Sequence, residues 1–114
     1  MKHFKRSEFI CSCGCGFSTV DFELADVLDD VREHFAVPVT VTSGCRCQAY
    51  NRRIGGAPDS EHTRGTAADI KVSGIAAATV YDYLTGKYPG KYGIGKYATW
   101  THIDVRLRAA RWTK

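Results

Sequence analysis

Two segments of the chain carry residues that together could bind a metal ion. His62 and Asp69 lie in SEHTRGTAAD (residues 60–69), and His102 lies in WTHID (residues 100–104). Two histidines and one carboxylate, with a fourth position left to water, are the ligand set of a catalytic rather than a structural zinc ion. Such an ion lowers the pKa of its bound water to about 7 and supplies hydroxide at neutral pH. These residue types therefore allow metal-assisted hydrolysis.

Strand alternation indicates which of these side chains share a face. Residues 100–104 are predicted to form a strand whose β-branched positions face the core. The opposite face points into a cleft and carries an indole, an imidazole and a carboxylate, those of Trp100, His102 and Asp104. Residues 67–72 alternate in the same way and place Asp69 on the polar face of a second strand.

Strand periodicity does not place His62, because seven residues separate it from Asp69. Along a helix that separation spans about 10 Å, and on one strand an odd spacing puts the two side chains on opposite faces. The segment must bend between them, and Gly65 permits a bend. Spacing alone leaves ordinary alternatives open: His102 as a hydrogen-bonded core histidine, and Asp69 as an ion-pair partner.

The elements that position these residues mix helices and strands. An amphipathic run predicts a first helix over residues 21–35, closed by Pro38, and a second helix is predicted over residues 75–85 with Gly86 as its stop. Strands are predicted at residues 39–42, 67–72, 92–97 and 99–106. The last two are expected to form a hairpin that turns near Ala98. Residues 45–54 are predicted to form a short helix or an irregular turn. No βαβ rhythm is present. The predicted fold class is α+β, a small antiparallel sheet with flanking helices.

Length and composition set outer limits on the protein. A chain of 114 residues and 12.6 kDa predicts a single domain over residues 1–114, and we expect it to be a monomer. Its 44% apolar and 25% charged residues argue against disorder and fibrous repeats. No apolar run approaches the roughly 18 residues of a membrane span. The start is basic but lacks the apolar stretch of a secretory signal, so synthesis in the cytoplasm without an export signal is expected.

The net charge is mildly positive, +4 with a pI near 8.9, and no dense basic block of the kind typical of nucleic-acid tails is present. We therefore expect no nucleic-acid partner. The C-terminus is locally cationic through Arg106, Arg108, Arg111 and Lys114. These residues form either a solvated basic edge or a surface that attracts an anionic partner, for which a polyanionic cell wall would serve.

Five cysteines fall into two groups, Cys11, Cys13 and Cys15 in the first and Cys45 and Cys47 in the second. An odd count without a signal peptide does not indicate a disulfide framework. Three interpretations remain open. A structural metal or cross-link could tie the N-terminal loop to the 45–47 turn, the thiols could be separate and free, or one could pair with His102 in catalysis, which no local motif supports.

The combined motif SxHxxGxAxD (residues 60–69) and WxH (residues 100–102) resembles the signature of zinc D-Ala-D-Ala carboxypeptidases and related peptidoglycan peptidases. These make up the M15 peptidase family, in a group shared with lysostaphin-type enzymes and the hedgehog signalling domain. VTSGCRC (residues 41–47) and GGAP (residues 55–58) also match, and FICSCGCG (residues 9–16) resembles the start of its small single-domain branch. The resemblance therefore covers nearly the whole chain and implies a hedgehog/DD-peptidase-like fold.

Carried over by position, the resemblance implies that His62, Asp69 and His102 bind zinc. It implies that Arg46 polarises the scissile carbonyl or holds a substrate carboxylate, which suits a fixed guanidinium fork. Ser60 and Trp100 would line the substrate site, although a loop-turn hydroxyl is an equally good account of Ser60.

The sequence departs from the family pattern at the general base. Many members carry an acid three residues before the second histidine, where this chain has Thr99. Asp104 is the substitute candidate because alternation puts it beside His102 on the cleft face. Its alternative role is to orient a metal ligand or to pair with Arg106, and Glu61 is a weaker candidate for the base.

The leading hypothesis is a zinc-dependent peptidase that cuts a peptide bond in the stem or cross-link of bacterial peptidoglycan, as a D-Ala-D-Ala carboxypeptidase or an endopeptidase. A phage or prophage lytic enzyme, or a virion-associated cutting module acting on the cell wall, fits this hypothesis. Thr99 favours a second hypothesis, a non-catalytic zinc-containing wall-binding domain. The third is a cysteine-based zinc module that binds nucleic acid.

Overall fold

Three helices and five strands make up the fold, and the computed structural model describes residues 1–114. The helices are α1 (Phe22–Phe35), α2 (Gln48–Arg53) and α3 (Ala77–Lys87). The strands are β1 (Val39–Ser43), β2 (Ala67–Val72), β3 (Gly93–Lys96), β4 (Thr101–Asp104) and β5 (Ala110–Thr113). Two 3-10 turns, Arg6–Phe9 and Glu61–Arg64, complete the elements. None of the helices has both the length and the apolar character needed to cross a membrane.

The five strands form one sheet in the order β1-β2-β4-β3-β5. The predicted hairpin is present as β3 and β4, and the α+β class is confirmed. The four predicted strands pair antiparallel as expected, but the sheet as a whole is mixed, because a fifth strand that was not predicted, β5, pairs with β3 in parallel. Arg111 fixes this strand: its guanidinium donates to the carbonyl oxygens of Tyr88, Lys91 and Tyr92 at 2.7–2.8 Å. A residue expected at a cationic edge therefore stabilises the sheet instead.

The core lies between the sheet and the apolar face of α1. Leu24, Val27, Leu28 and Val31 of α1 are buried, as their helical spacing predicted. They belong to a single cluster of 15 buried hydrophobic residues that includes members of β1, β2, β3, β4 and α3. The helix begins one residue after Asp21, whose carboxylate caps it by accepting from the backbone N–H groups of Glu23 and Leu24.

The end of α3 differs from the prediction. The helix continues through Gly86 to Lys87, because an exposed glycine inside a helix weakens it by only about 1 kcal/mol and does not end it. Pro89 provides the stop. A residue before proline is pushed out of the helical region, and Tyr88 takes φ −120° and ψ 59°.

The bend expected at Gly65 is present and connects the 3-10 turn to β2. Gly65 has φ +73°, a left-handed conformation, and its carbonyl accepts from the backbone N–H of Asp21 at 2.9 Å. A Cβ at this position would lie 2.7 Å from both Cγ2 and the carbonyl oxygen of Thr19. The bend is thus locked against the segment that precedes α1, and it sets the direction in which His62 enters the fold.

Replacement of Gly65 by alanine tests this lock, with Gly55→Ala as the matched control. Gly55 has a similar φ of +77° but open space around its Cβ position. Gly55→Ala is expected to lower the free energy of unfolding by about 1–2 kcal/mol through left-handed strain. Gly65→Ala should lose about 1–3 kcal/mol more because the methyl group meets Thr19. Urea denaturation measures both, and equal losses would contradict the account.

Candidate metal centre

The pairing of β2 with β4 brings Asp69 and His102 together. The antiparallel register places these two residues directly opposite one another, on the same face of the sheet. The Nδ1 atom of His102 lies 2.9 Å from Oδ1 of Asp69. Two ligands far apart in the chain thus meet because two short strands align in one register.

His62 reaches the same point from the 3-10 turn before Gly65. The turn is capped by Ser60, whose hydroxyl accepts from the backbone N–H of His62 at 3.2 Å. The Nδ1 atom of His62 donates to the carbonyl oxygen of Gly44 at 2.7 Å. A carbonyl oxygen can only accept, so Nδ1 carries the proton and Nε2 is left free. That free nitrogen lies 3.5 Å from Oδ1 of Asp69.

The three groups fit a single metal ion. Their ligand atoms all lie within 4.8 Å of one another. Around a tetrahedral zinc ion with ligand distances of about 2.0 Å, two nitrogen or oxygen ligands stand roughly 3.3 Å apart. The separations of Asp69 Oδ1 from the two imidazole nitrogens, 2.9 and 3.5 Å, bracket that value. His62, Asp69 and His102 are buried or nearly so, and the three residues named from the sequence thus form a cluster that could hold a metal ion.

The electrostatics of the centre keep its carboxylate charged. Burial alone would raise the pKa of Asp69, but the hydrogen bond with His102 and the nearby ring of His62 hold that pKa well below its usual range. Burial alone would lower the pKa of His102, whereas its hydrogen bonds with Asp104 and Asp69 raise that pKa. The charge of Asp69 is therefore compensated by the groups around it. A divalent cation can take over that compensation.

Asp104 lies on the opposite side of His102 from the metal ligands. Its Oδ2 accepts from Nε2 of His102 at 2.8 Å, while Nδ1 of the same ring faces Asp69. Arg106 makes a bidentate pair with the Asp104 carboxylate, both contacts at 2.7 Å, and Gly93 donates to it through its backbone N–H. Burial opposes ionisation, yet the bonds from Arg106 and His102 lower the pKa of Asp104 to about 2. This geometry suits a residue that orients a metal ligand rather than one that takes up a proton.

A cavity of about 450 Å³ opens above the three ligands. Its lining includes the residues assigned to substrate by the resemblance: Arg46, Ser60 and Trp100. The Arg46 side chain is only 14% exposed, and its Nη2 lies 3.7 Å from Oδ2 of Asp69. Arg46 also donates to the side-chain oxygens of Ser43 and Asn51 at 3.3 and 3.2 Å. Its guanidinium is therefore held at the edge of the metal centre.

Sequence reasoning missed the far wall of the cavity. The ring centre of Trp112, in β5, lies 5.1 Å from the ring centre of His102. The guanidinium carbon of Arg106 lies over the same indole, 5.3 Å from its ring centre. The Nε1 atom of Trp112 donates to the hydroxyl of Tyr97 at 3.0 Å. The signal in the sequence was Gly95, because a glycine inside a strand often marks a close approach. Trp112 pairs with Gly95 in the register of β3 and β5, and a side chain at that glycine would collide with the indole.

Comparison with known families assigns the chain to a class of enzyme. The family model described as peptidase M15 matches residues 2–104, and the chain belongs to this family. The matched range includes all three metal ligands and Asp104, while Trp112 lies beyond it. The comparison with curated proteins finds no significant match. M15 membership and the His2Asp cluster together indicate a metallopeptidase.

The orienting role of Asp104 is testable by zinc affinity. Asp104→Asn replaces a carboxylate, which accepts hydrogen bonds from both His102 and Arg106, by an amide. The amide nitrogen can only donate, and it must face one of these two donors. We expect zinc to bind about 10- to 100-fold more weakly, as for other residues that orient metal-bound histidines. Competition with a chromophoric chelator measures the change. Asp82→Asn, at an exposed position on α3, should leave affinity unchanged; equal affinity in both variants would refute the role.

Proposed function

We propose that this protein is a zinc-dependent peptidase that hydrolyses a peptide bond in the stem or cross-link peptides of bacterial peptidoglycan. The convergence of His62 Nε2, Asp69 Oδ1 and His102 Nδ1 on the floor of the cavity carries the proposal. Membership of the M15 family supports a peptidase, and the resemblance to D-Ala-D-Ala carboxypeptidases supports the choice of substrate.

His62, Asp69 and His102 would hold the zinc ion. When bound, zinc acts as a Lewis acid toward the scissile carbonyl and makes water a stronger acid. The chain's contribution is to fix which nitrogen of each imidazole faces the ion. The Gly44 carbonyl does this for His62, and the Asp104 carboxylate does it for His102.

Arg46 is placed to bind the substrate. Its guanidinium is immobilised by Ser43 and Asn51 and lines the cavity next to Asp69. A charged fork fixed in advance binds a carboxylate, or stabilises negative charge on a carbonyl oxygen, without the cost of ordering a flexible side chain. Arg106 also lines the cavity, but its charge is balanced by Asp104. We therefore assign the substrate's carboxylate or oxyanion to Arg46.

Three aromatic residues in the cavity lining form a surface that suits a peptide with small side chains. Tyr97 stacks on Trp100 with ring centres 4.6 Å apart and planes 8° from parallel. Trp112 continues this surface toward His102. Flat rings of this kind can pack against peptide planes and alanyl methyl groups. Ser60, which caps the turn that carries His62, adds a hydroxyl to the lining.

Hydrolysis also needs a group that accepts a proton. Thr99, at the position where many family members carry an acid, is exposed and lines a different cavity, beside Lys71 and Ser73. Asp104 lies behind His102. The carboxylates left in the lining of the metal cavity are Asp59, which is exposed, and Glu61, which binds Arg64 and Thr66. We propose that one of these two accepts the proton.

Paired amide substitutions identify the proton acceptor. The variant that removes it, Asp59→Asn or Glu61→Gln, is expected to lose about 10²- to 10⁴-fold in kcat. Its zinc content and KM should change little, because neither residue is a metal ligand or part of the Arg46 site. Steady-state kinetics on a purified stem peptide, with zinc measured on the same samples, separates the two. Wild-type kcat in both variants would rule out both assignments.

One observation favours a second function, a non-catalytic zinc-containing domain that binds the cell wall. The family's acidic position holds Thr99, and the Asp104 carboxylate is fully buried and taken up by Arg106 and His102. A metal site kept without a proton acceptor would bind wall peptides with little turnover. Zinc and wall binding in stoichiometric amounts, without peptide release, would decide for this function.

We further propose that the protein is made in the cytoplasm and acts on the cell wall, as a phage-type lytic or virion-associated enzyme does. The net charge of +4 supports contact with a polyanionic wall. Exposed Arg108 and Lys114 contribute to that surface, whereas Arg106 and Arg111 are engaged within the fold.

The peptidase proposal is tested on purified peptidoglycan with zinc-loaded protein. His62→Ala and chelator treatment should each reduce peptide release to background, because each removes the metal. His3→Ala, at an exposed histidine bound to Glu33, should retain full activity. Mass analysis of the released fragments distinguishes loss of a terminal residue from internal cleavage. Peptide release that survives both His62→Ala and chelation would exclude the metallopeptidase.

A further inference from the structure

Four of the five cysteines form a cluster that is separate from the cluster of His62, Asp69 and His102. Cys11, Cys13 and Cys15 come from the N-terminal loop, and Cys47 comes from the residue before α2. Their sulfur atoms all lie within 4.8 Å of one another, and none is in a disulfide. Cys45 is not part of this group: it is buried, and its Sγ lies 3.1 and 3.2 Å from the carbonyl oxygens of Phe9 and Phe17, the two acceptors within reach of its single S–H.

The sulfur distances match metal ligation rather than cross-linking. Cys13 Sγ lies 3.5 Å from Cys11 Sγ and 3.7 Å from Cys47 Sγ. With zinc–sulfur distances of about 2.3 Å, tetrahedral ligands stand roughly 3.8 Å apart. Sulfur atoms in a disulfide are only about 2.0 Å apart.

The surrounding backbone shapes the cluster. The N–H of Cys47 donates to Sγ of Cys11 at 3.4 Å, and the N–H of Tyr50 donates to Sγ of Cys47 at the same distance. Gly14 has φ +85°, which tightens the turn that folds the three N-terminal thiols toward one another. Bonds from backbone N–H groups to sulfur favour the thiolate form that a metal requires.

We propose that Cys11, Cys13, Cys15 and Cys47 bind a second zinc ion, separate from the peptidase centre. Four thiolates fill a tetrahedral ion and leave no open position, so this ion is structural. Cys11 is buried and Cys15 is exposed, which places the ion just beneath the surface with Cys15 as its outer ligand.

The second ion would brace the wall of the peptidase cavity. Cys47 directly follows Arg46, whose backbone N–H donates to the carbonyl of His62 at 2.9 Å. Three residues before Cys47, the Gly44 carbonyl accepts from the His62 ring. Anchoring Cys47 to the N-terminal loop therefore holds the short segment that orients one metal ligand and carries the substrate arginine.

The test measures metal content and cobalt spectra of the full chain, purified under reducing conditions. Wild type should bind two zinc ions per chain and, with cobalt, show the intense thiolate-to-metal charge-transfer bands of a tetrahedral sulfur site. His62→Ala should keep one ion and these bands, which separates this proposal from the peptidase proposal. Cys47→Ser and Cys15→Ser should lose the bands and one ion. Cys45→Ser, outside the cluster, should keep both ions.

Several results would overturn the second site. The first is wild-type cobalt protein without thiolate bands. The second is unchanged metal content in a Cys15→Ser protein that folds normally. Cys15 is exposed, so we expect this substitution to leave folding intact. The third is loss of the bands in His62→Ala with their retention in Cys47→Ser, which would assign them to another site.

Discussion

The structure depends on the placement of the Asp69 carboxylate among three side chains, those of His102, His62 and Arg46. Its Oδ1 lies 2.9 Å from His102 Nδ1 and 3.5 Å from His62 Nε2, and its Oδ2 lies 3.7 Å from Arg46 Nη2. Such a buried negative charge is stable only when it is paired. The β2–β4 register, the bend at Gly65 and the loop after β1 each bring one partner to it.

The fold controls imidazole orientation from outside the metal centre. The Gly44 carbonyl and the Asp104 carboxylate each bind the ring nitrogen that faces away from Asp69. Arg106 in turn fixes Asp104, and its guanidinium covers Trp112. The residues proposed to bind substrate and those proposed to bind metal therefore share one hydrogen-bond network, and a metal ion at the cysteine cluster beside Arg46 would stabilise the same network from its other end.

Much of the site followed from the sequence, because strand alternation is a local property. The period-two pattern placed Asp69 and His102 on polar strand faces, and the need for a bend pointed to Gly65. Alternation could not show on which side of the His102 ring Asp104 would lie. Both residues share a strand face, but the direction of the contact depends on the ring rotamer and on Arg106.

Parts of the fold were less predictable where an element's position or end depends on residues outside that element or on contacts with residues far away in the sequence. Strand β5 is four residues long and only partly buried, so it has little periodic signal, and its position depends on Arg111 binding carbonyls about twenty residues away. Missing β5 also meant missing Trp112. Similarly, the end of α3 is set by Pro89 rather than by Gly86, whose missing side chain leaves the helix hydrogen bonds intact.

Anomalous diffraction at the zinc absorption edge, from crystals of zinc-loaded protein, tests whether His62, Asp69 and His102 share one metal ion. We predict a strong peak bonded to His62 Nε2, Asp69 and His102 Nδ1, with Asp104 still on the far side of the His102 ring. The absence of a peak among these three side chains, in crystals that contain zinc, would exclude a shared metal site.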